Sequence, residues 1–176
     1  NWLSIVDGSG VLDEAQIREY ITQMASKYNT VYYDRVFKTS SGTEVTIPAT
    51  ENEYGYLVDE EREFNQLMAD IQANTQVVRE PVYSYSGYKR NGVDDLAGTY
   101  VEVNLTAQHL WFYVDGELIV ESDLVSGDVA DKTETQTGAF PLAYKESPSV
   151  LTGGDAANGW RTEVTSWMPF FDGQGL

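Results

Sequence analysis

Gln108-His109-Leu110-Trp111-Phe112-Tyr113-Val114-Asp115-Gly116-Glu117-Leu118-Ile119-Val120 reads as two β-runs about an Asp-Gly pair. β-branched and aromatic residues fill both runs, which suits a pleated, half-buried surface. A two-residue type I′ turn needs positive φ at both centres, and Asp followed by Gly adopts it at low cost. The stretch therefore predicts a hairpin over 109–114 and 117–124, and the run 100–105 adds a third strand with no helical period between them. Two shorter runs, 140–144 and 163–167, read as further strands separated by Gly153-Gly154-Asp155. Residues 98–176 are expected to form a β-rich unit.

The preceding residues have a different period. Over 13–27, Ile17, Tyr20, Ile21 and Met24 fall on one helical face, and Asp13 with Gln16 three positions on has the form of a capping box. Over 59–73, Phe64, Leu67, Met68 and Ile71 repeat the pattern, with Glu60, Glu61 and Glu63 in the first turn, where the helix dipole favours negative charge. Runs 31–37 and 43–47 flank Ser40-Ser41-Gly42 as a hairpin that Pro48 ends, and 81–85 is a strand. The stretch 86–98, rich in Gly, Asn and Asp, reads as a linker. The chain is thus expected to be α+β, with a mixed helix/strand domain over 1–97 and a β-rich one over 98–176.

Composition narrows the chemistry. Twenty-eight acidic against eleven basic residues give a formal charge of −17, which repels a phosphate backbone and an anionic bilayer alike, so neither nucleic acid nor membrane contact is expected. No apolar run approaches the roughly 20 residues that span a bilayer. The 176 residues contain no cysteine, and hence no disulfide, thiolate ligand or thiol nucleophile. His109 is the single histidine, and its place in a strand run suits an ordinary strand residue; no zinc or EF-hand calcium spacing accompanies it, so neither metal nor cofactor is implied. Ser84, Ser86, Ser126 and Ser166 lack a Gly-x-Ser-x-Gly elbow, and Asp94-Asp95 reads as a solvated pair in a Gly-rich loop. Asn104-Leu105-Thr106 fits a glycosylation triplet that short sequences produce by chance.

Thr135-Gln136-Thr137-Gly138-Ala139-Phe140 resembles the Thr-Pro-Thr-Gly-x-Phe signature of the L,D-transpeptidases, bacterial enzymes that cross-link peptidoglycan through a cysteine. The strand at 100–104, the run Gln108 to Tyr113, the Asp-Gly turn and Val125-Ser126-Gly127 precede it in the family's order; Gln136 stands where the family has Pro. Phe37 to Gly42 and Tyr54 to Asp59 make the first unit similar to the peptidoglycan-binding domain that precedes this fold in some Gram-positive members. The resemblance implies that 98–176 is the first part of a mostly-β sandwich. It places Trp167, Met168 and Phe170, within the apolar cluster that also holds Trp160 and Phe171, beside the acyl-donor cleft as substrate-binding residues; sandwich core is the competing reading.

In that family a His follows a Gly-x-Gly-Leu stretch and Ser-His-Gly-Cys comes later, and neither occurs among these residues. The resemblance therefore implies a truncated piece with no catalytic residue, itself inactive, from an extracellular, cell-wall protein of a Gram-positive bacterium, anchored by a segment outside the chain. An uncovered strand edge would favour a homodimer or domain swap. The alternative is a non-catalytic wall-binding module that docks peptidoglycan through Tyr32, Tyr33, Tyr54 and Tyr56. A third reading is an unrelated secreted α+β protein.

Overall fold

Helix α1 (Glu14–Tyr28) starts where Asp13 accepts the Gln16 N–H at 3.1 Å. The Gln16 amide then donates to the same carboxylate at 2.9 Å, so the reciprocal bond goes to the capping side chain instead of its backbone. In the computed structural model, which describes residues 12–176 apart from 91, 93, 131, 155 and 156, Ile17, Ile21 and Ala25 are buried. Tyr20 lies on the flank of that stripe and stays half exposed, against expectation.

Helix α2 (Glu60–Gln72) is capped by Asp59, which accepts the Arg62 N–H at 2.9 Å. Phe64 closes on Ile17 and Ile21, with Met24, Leu67, Met68 and Ile71 packed around them, and the Arg18 guanidinium covers the Phe64 ring at 3.7 Å. One of the three first-turn acids serves more than the helix dipole. Glu63 is only 6% exposed; it accepts from Arg79 at 2.8 Å and from the Val82 N–H at 2.8 Å, pinning 79–82 to the helix.

Strands β1 (Arg35–Lys38) and β2 (Glu44–Ile47) form the expected hairpin, but it begins at Arg35 and not at 31. Tyr32 takes φ +63° and gives its N–H to the Asn52 carbonyl at 2.9 Å, which removes 31–34 from the ladder. A short 3-10 turn, Ala49–Glu51, leads to β3 (Leu57–Val58), which pairs with β4 (Tyr83–Tyr85).

Farther along the chain β5 (Tyr100–Asn104), β6 (His109–Val114) and β7 (Glu117–Asp123) form one antiparallel sheet in chain order. Asp115 and Gly116 have φ +49° and +84°, as a type I′ turn requires. Strand β8 (Ser149–Gly153) pairs with β9 (Trp160–Val164), and β10 (Pro169–Phe171) pairs with β11 (Gln174–Gly175) through Asp172-Gly173. The predicted strand at 140–144 is not formed: Pro141 has no N–H for a ladder. The one expected at 163–167 lies at 160–164, and Gly153 ends a strand instead of separating two. A Cβ there would sit 2.4 Å from the Trp160 ring, so the glycine admits an indole, while Gly154 at φ +86° makes the turn. Asp155 lies outside the described residues. Two helices and small antiparallel sheets make the protein α+β.

Residues 86–98, read from the sequence as a linker, carry several bonds to the elements around them. Asp95, read as solvated from the sequence, is 2% exposed and takes both Arg35 terminal nitrogens at 2.7 Å. Arg35 also donates to the Asn52 side-chain oxygen at 3.2 Å and to the Tyr54 carbonyl at 3.0 Å. Arg90 lies over the Tyr56 ring at 4.1 Å and donates to the Tyr28 carbonyl. Beyond it, Phe37 meets Tyr100 edge to face at 5.4 Å, and Glu102 accepts the Ser40 N–H at 2.9 Å and its hydroxyl at 2.6 Å.

Burial acts to raise the Asp95 carboxyl, but bonds from Arg35 and Thr30 and the Arg35 charge outweigh it, and the net shift is downward. A depressed carboxylate contributes stability that is present above its unfolded value, about 3.9, and lost as pH falls through the folded one. Arg35→Ala leaves Asp95 buried and unpaired, and is expected to cost about 3–5 kcal/mol in urea unfolding at neutral pH. The loss should shrink as pH falls toward the depressed folded-state value of Asp95, because the variant's unpaired carboxyl takes up its proton before the parent's does.

Candidate functional site

The signature segment, residues 135–140, has no ladder of its own and is held from two sides. On one side the Ala139 N–H donates to the Glu51 carbonyl at 2.9 Å and the Ala139 carbonyl accepts the Glu53 N–H at 2.8 Å, a parallel bridge opposite Asn52. The Thr137 hydroxyl adds a bond to the Glu51 carboxylate at 3.2 Å. Gly138 has φ +146°, and a Cβ there would lie 2.3 Å from the Glu51 carbonyl oxygen, so backbone meets backbone where a side chain has no room.

The other side is the C-terminal hairpin. Gln174 accepts the Gln136 N–H at 2.8 Å and returns its amide to the Glu134 carbonyl at 3.3 Å. The Phe140 ring packs on Phe170 at 5.7 Å and Phe171 at 5.0 Å between centroids. Trp167 exchanges both backbone bonds with Glu146 at 2.9 Å, and Met168 does so with Leu176 at 3.0 Å. The Trp167 ring lies against Gly175, where a Cβ would meet it at 2.8 Å.

Of the residues singled out in the sequence, Phe170 is brought against the signature segment, and Trp167 and Met168 stand beside it on the same hairpin, all three half buried. Trp160 is not part of that group; it lies half exposed over Gly153. Sequence reasoning missed Glu51, Asn52 and Gln174. Gln174 occupies the variable position of the Gly-x-Gly-Leu run, so the motif gives no reason to single it out, and nothing in the sequence marks Asn52, although it is 0% exposed.

Chemically the region offers hydroxyls, backbone dipoles and apolar walls. His109 is in β6, its ring tilted against Trp111 at 4.5 Å between centroids and bonded through Nδ1 to Asp123 at 2.8 Å. That bond, followed by Glu121, raises the imidazole above its ordinary value despite the opposing effect of burial. Among the described residues, no group of three or more His, Cys, Asp or Glu side chains is placed to hold a metal ion. No helix among them is long and apolar enough to cross a membrane. A cleft of about 470 Å³ lined by Arg35, Phe37, Lys38, Asp94 and Tyr100 lies elsewhere, at the junction of β1 with 94–100, and its polar floor is the Arg35–Asp95 pair.

Comparison with known proteins agrees with this geometry. Residues 98–172 match the L,D-transpeptidase catalytic domain family, and residues 2–79 match the family described as "Putative peptidoglycan binding domain". Two solved structures, the Ldtfm–avibactam carbamoyl enzyme and a cysteine-to-serine mutant of the Enterococcus faecium L,D-transpeptidase, are each 34% identical over 99% of this chain, with TM-scores of 0.72. The chain covers 66% of the first and 68% of the second, about two thirds of their length. No curated protein matches. The chain belongs to the L,D-transpeptidase family.

Gly138→Ala is expected to destabilise the protein by about 1–3 kcal/mol, since both φ and the Glu51 carbonyl oppose the methyl. Amide exchange should rise first at Ala139 and Glu53, whose bonds the shift breaks; an unchanged urea midpoint would refute the tight backbone approach.

Proposed function

We propose that this chain serves peptidoglycan cross-linking by cysteine acyl transfer, contributing a wall-binding unit over 1–97 and part of the acyl-transfer unit over 98–176. The observation that supports it best is the clamped signature segment, held between the first unit and the hairpin that carries Trp167, Met168 and Phe170. Those three side chains form the donor-side wall, where a stem peptide lies against half-buried apolar surface. Acyl transfer needs a thiolate and a group to manage its proton, and these 176 residues hold no cysteine. On their own they bind wall material outside the cell without turning it over, which also favours reading them as a binding module.

The β5–β6–β7 sheet supports a second part of the proposal. Strand β7 is an edge, exposed along its whole length, with Leu118, Ile119 and Val120 each about half exposed. An apolar edge of this kind pairs readily with another chain. Two copies associate through it.

Purified peptidoglycan sacculi are expected to retain the protein, with no cross-linked product from tetrapeptide donors. Added tetrapeptide should shift the Trp167 indole resonance in a heteronuclear NMR titration. Turnover by the chain alone, or a Trp167 signal that ignores the peptide, would contradict the reading. In sedimentation velocity the mean sedimentation coefficient should rise with concentration, and Val120→Lys should abolish the rise.

A further inference from the structure

Of the four tyrosines that sequence reasoning offers for sugar contact, two are already occupied. The Tyr54 hydroxyl accepts the Tyr88 N–H at 2.9 Å and donates to the Asp95 carbonyl at 3.3 Å, and the Tyr56 ring is buried beneath Arg90. Tyr32 is different. It is 48% exposed, and it meets a tyrosine the sequence did not single out, Tyr85 at the end of β4, itself 50% exposed. Their centroids are 5.8 Å apart at an interplanar angle of 79°. Single exposed aromatics are ordinary, whereas two rings propped against each other at the surface hold their orientation before any ligand arrives.

Backbone geometry is an independent observation. Tyr32 sits at φ +63°, a left-handed conformation that is uncommon outside glycine and an outlier for a bulky residue. The fold sustains it through the Tyr32 N–H bond to the Asn52 carbonyl. Glycine would occupy this position without strain, whereas the tyrosine holds its ring half in solvent against Tyr85.

We propose that Tyr32 and Tyr85 form a sugar-stacking platform for the amino-sugar backbone of peptidoglycan, at a distance from the signature segment set by the backbone rows between them. This rests on the wall-binding reading and specifies which part of the wall the first unit holds. Tyrosine suits the task because its flat apolar face covers the C–H face of a pyranose while its hydroxyl stays wet. The ligand is a neutral glycan; with a net charge of −17 the chain repels anionic polymers. Tyr32 is bonded to Asn52, and Asn52 stands opposite Ala139. Two hydrogen-bonded rows thus separate the platform from the signature segment, about 10 Å. A glycan strand seated on the rings lies close enough for its stem peptide to reach the wall formed by Trp167, Met168 and Phe170.

The test uses the whole chain, neutral soluble N-acetylglucosamine oligomers, free tetrapeptide and intact sacculi. Tyr32→Gly and Tyr85→Ala should each weaken binding to the oligomers about tenfold, the scale of one aromatic stack, while Tyr85→Phe binds as the parent does. Circular dichroism confirms that Tyr32→Gly is folded under the binding conditions. Parent-like glycan affinity in the folded Tyr32→Gly variant overturns the platform. If sacculi retain the parent and both ring variants equally, the platform falls and the wall-binding reading stands; if sacculi retain none of them, the wall-binding reading itself fails.

Discussion

One buried amide organises the protein. Asn52, fully enclosed, donates from Nδ2 to the carbonyls of Thr30 at 2.7 Å and Tyr33 at 2.8 Å, and accepts from Arg35 Nε at 3.2 Å. Both of its donors and its acceptor are therefore met, the condition under which a buried polar group stabilises instead of costing about 1–3 kcal/mol. Through Arg35 the network continues to Asp95, through the Asn52 carbonyl to Tyr32, and through the flanking Glu51 and Glu53 backbone to Ala139. The residues that form the first unit's exposed face, the junction with the second, and the signature segment thus share a single set of directional bonds. A partly satisfied network of this kind is high in cost, so its members stand or fall together.

Charge in this protein divides sharply by burial. Arg35–Asp95 and Arg79–Glu63 are enclosed and carry backbone contacts as well as each other, so removing one partner strands the other. Arg18–Glu61 and Lys89–Asp115 are about half exposed or more on both sides, and pairs of that type contribute little. Most of the acidic excess is therefore a property of the surface, where it shapes which polymers approach and not how the chain folds.

Local periodicity accounts for the part of the fold that is legible in the sequence. Both helices, their Asp caps, the β1–β2 hairpin and the β5–β6–β7 meander with its Asp-Gly turn appear close to their expected places because each is specified by residues within one element. The errors fall where distant residues decide. Asp95 reads as solvated because nothing near it in sequence reveals Arg35, sixty positions away; Glu63 reads as dipole complement because Arg79 is out of view. The strand expected at 140–144 fails on one missing N–H at Pro141, and Gly153 reads as punctuation when it is a space for Trp160. For the candidate site, Trp167, Met168 and Phe170 are read through resemblance, and of the three Phe170 packs on the signature segment's Phe140, but Glu51 and Gln174, which hold that segment, carry no motif.

That clamp has a consequence for how the two units relate. A module that only tethers an enzyme to its substrate needs a flexible linker and a small polar interface, and its motion is then independent. Here the signature segment is bonded on one edge to Glu51 and Glu53 and on the other to Gln174, while Glu102 and Asp95 enclose charges whose partners come from β1 and the loop after it. Moving one unit against the other would break the bonds of Glu51 and Glu53 to Ala139 and of Ser40 to Glu102, and leave the buried Glu102 carboxylate without that partner. The first unit therefore behaves as part of the scaffold that shapes the signature segment. Any ligand that it holds is presented at a fixed distance and orientation from that segment.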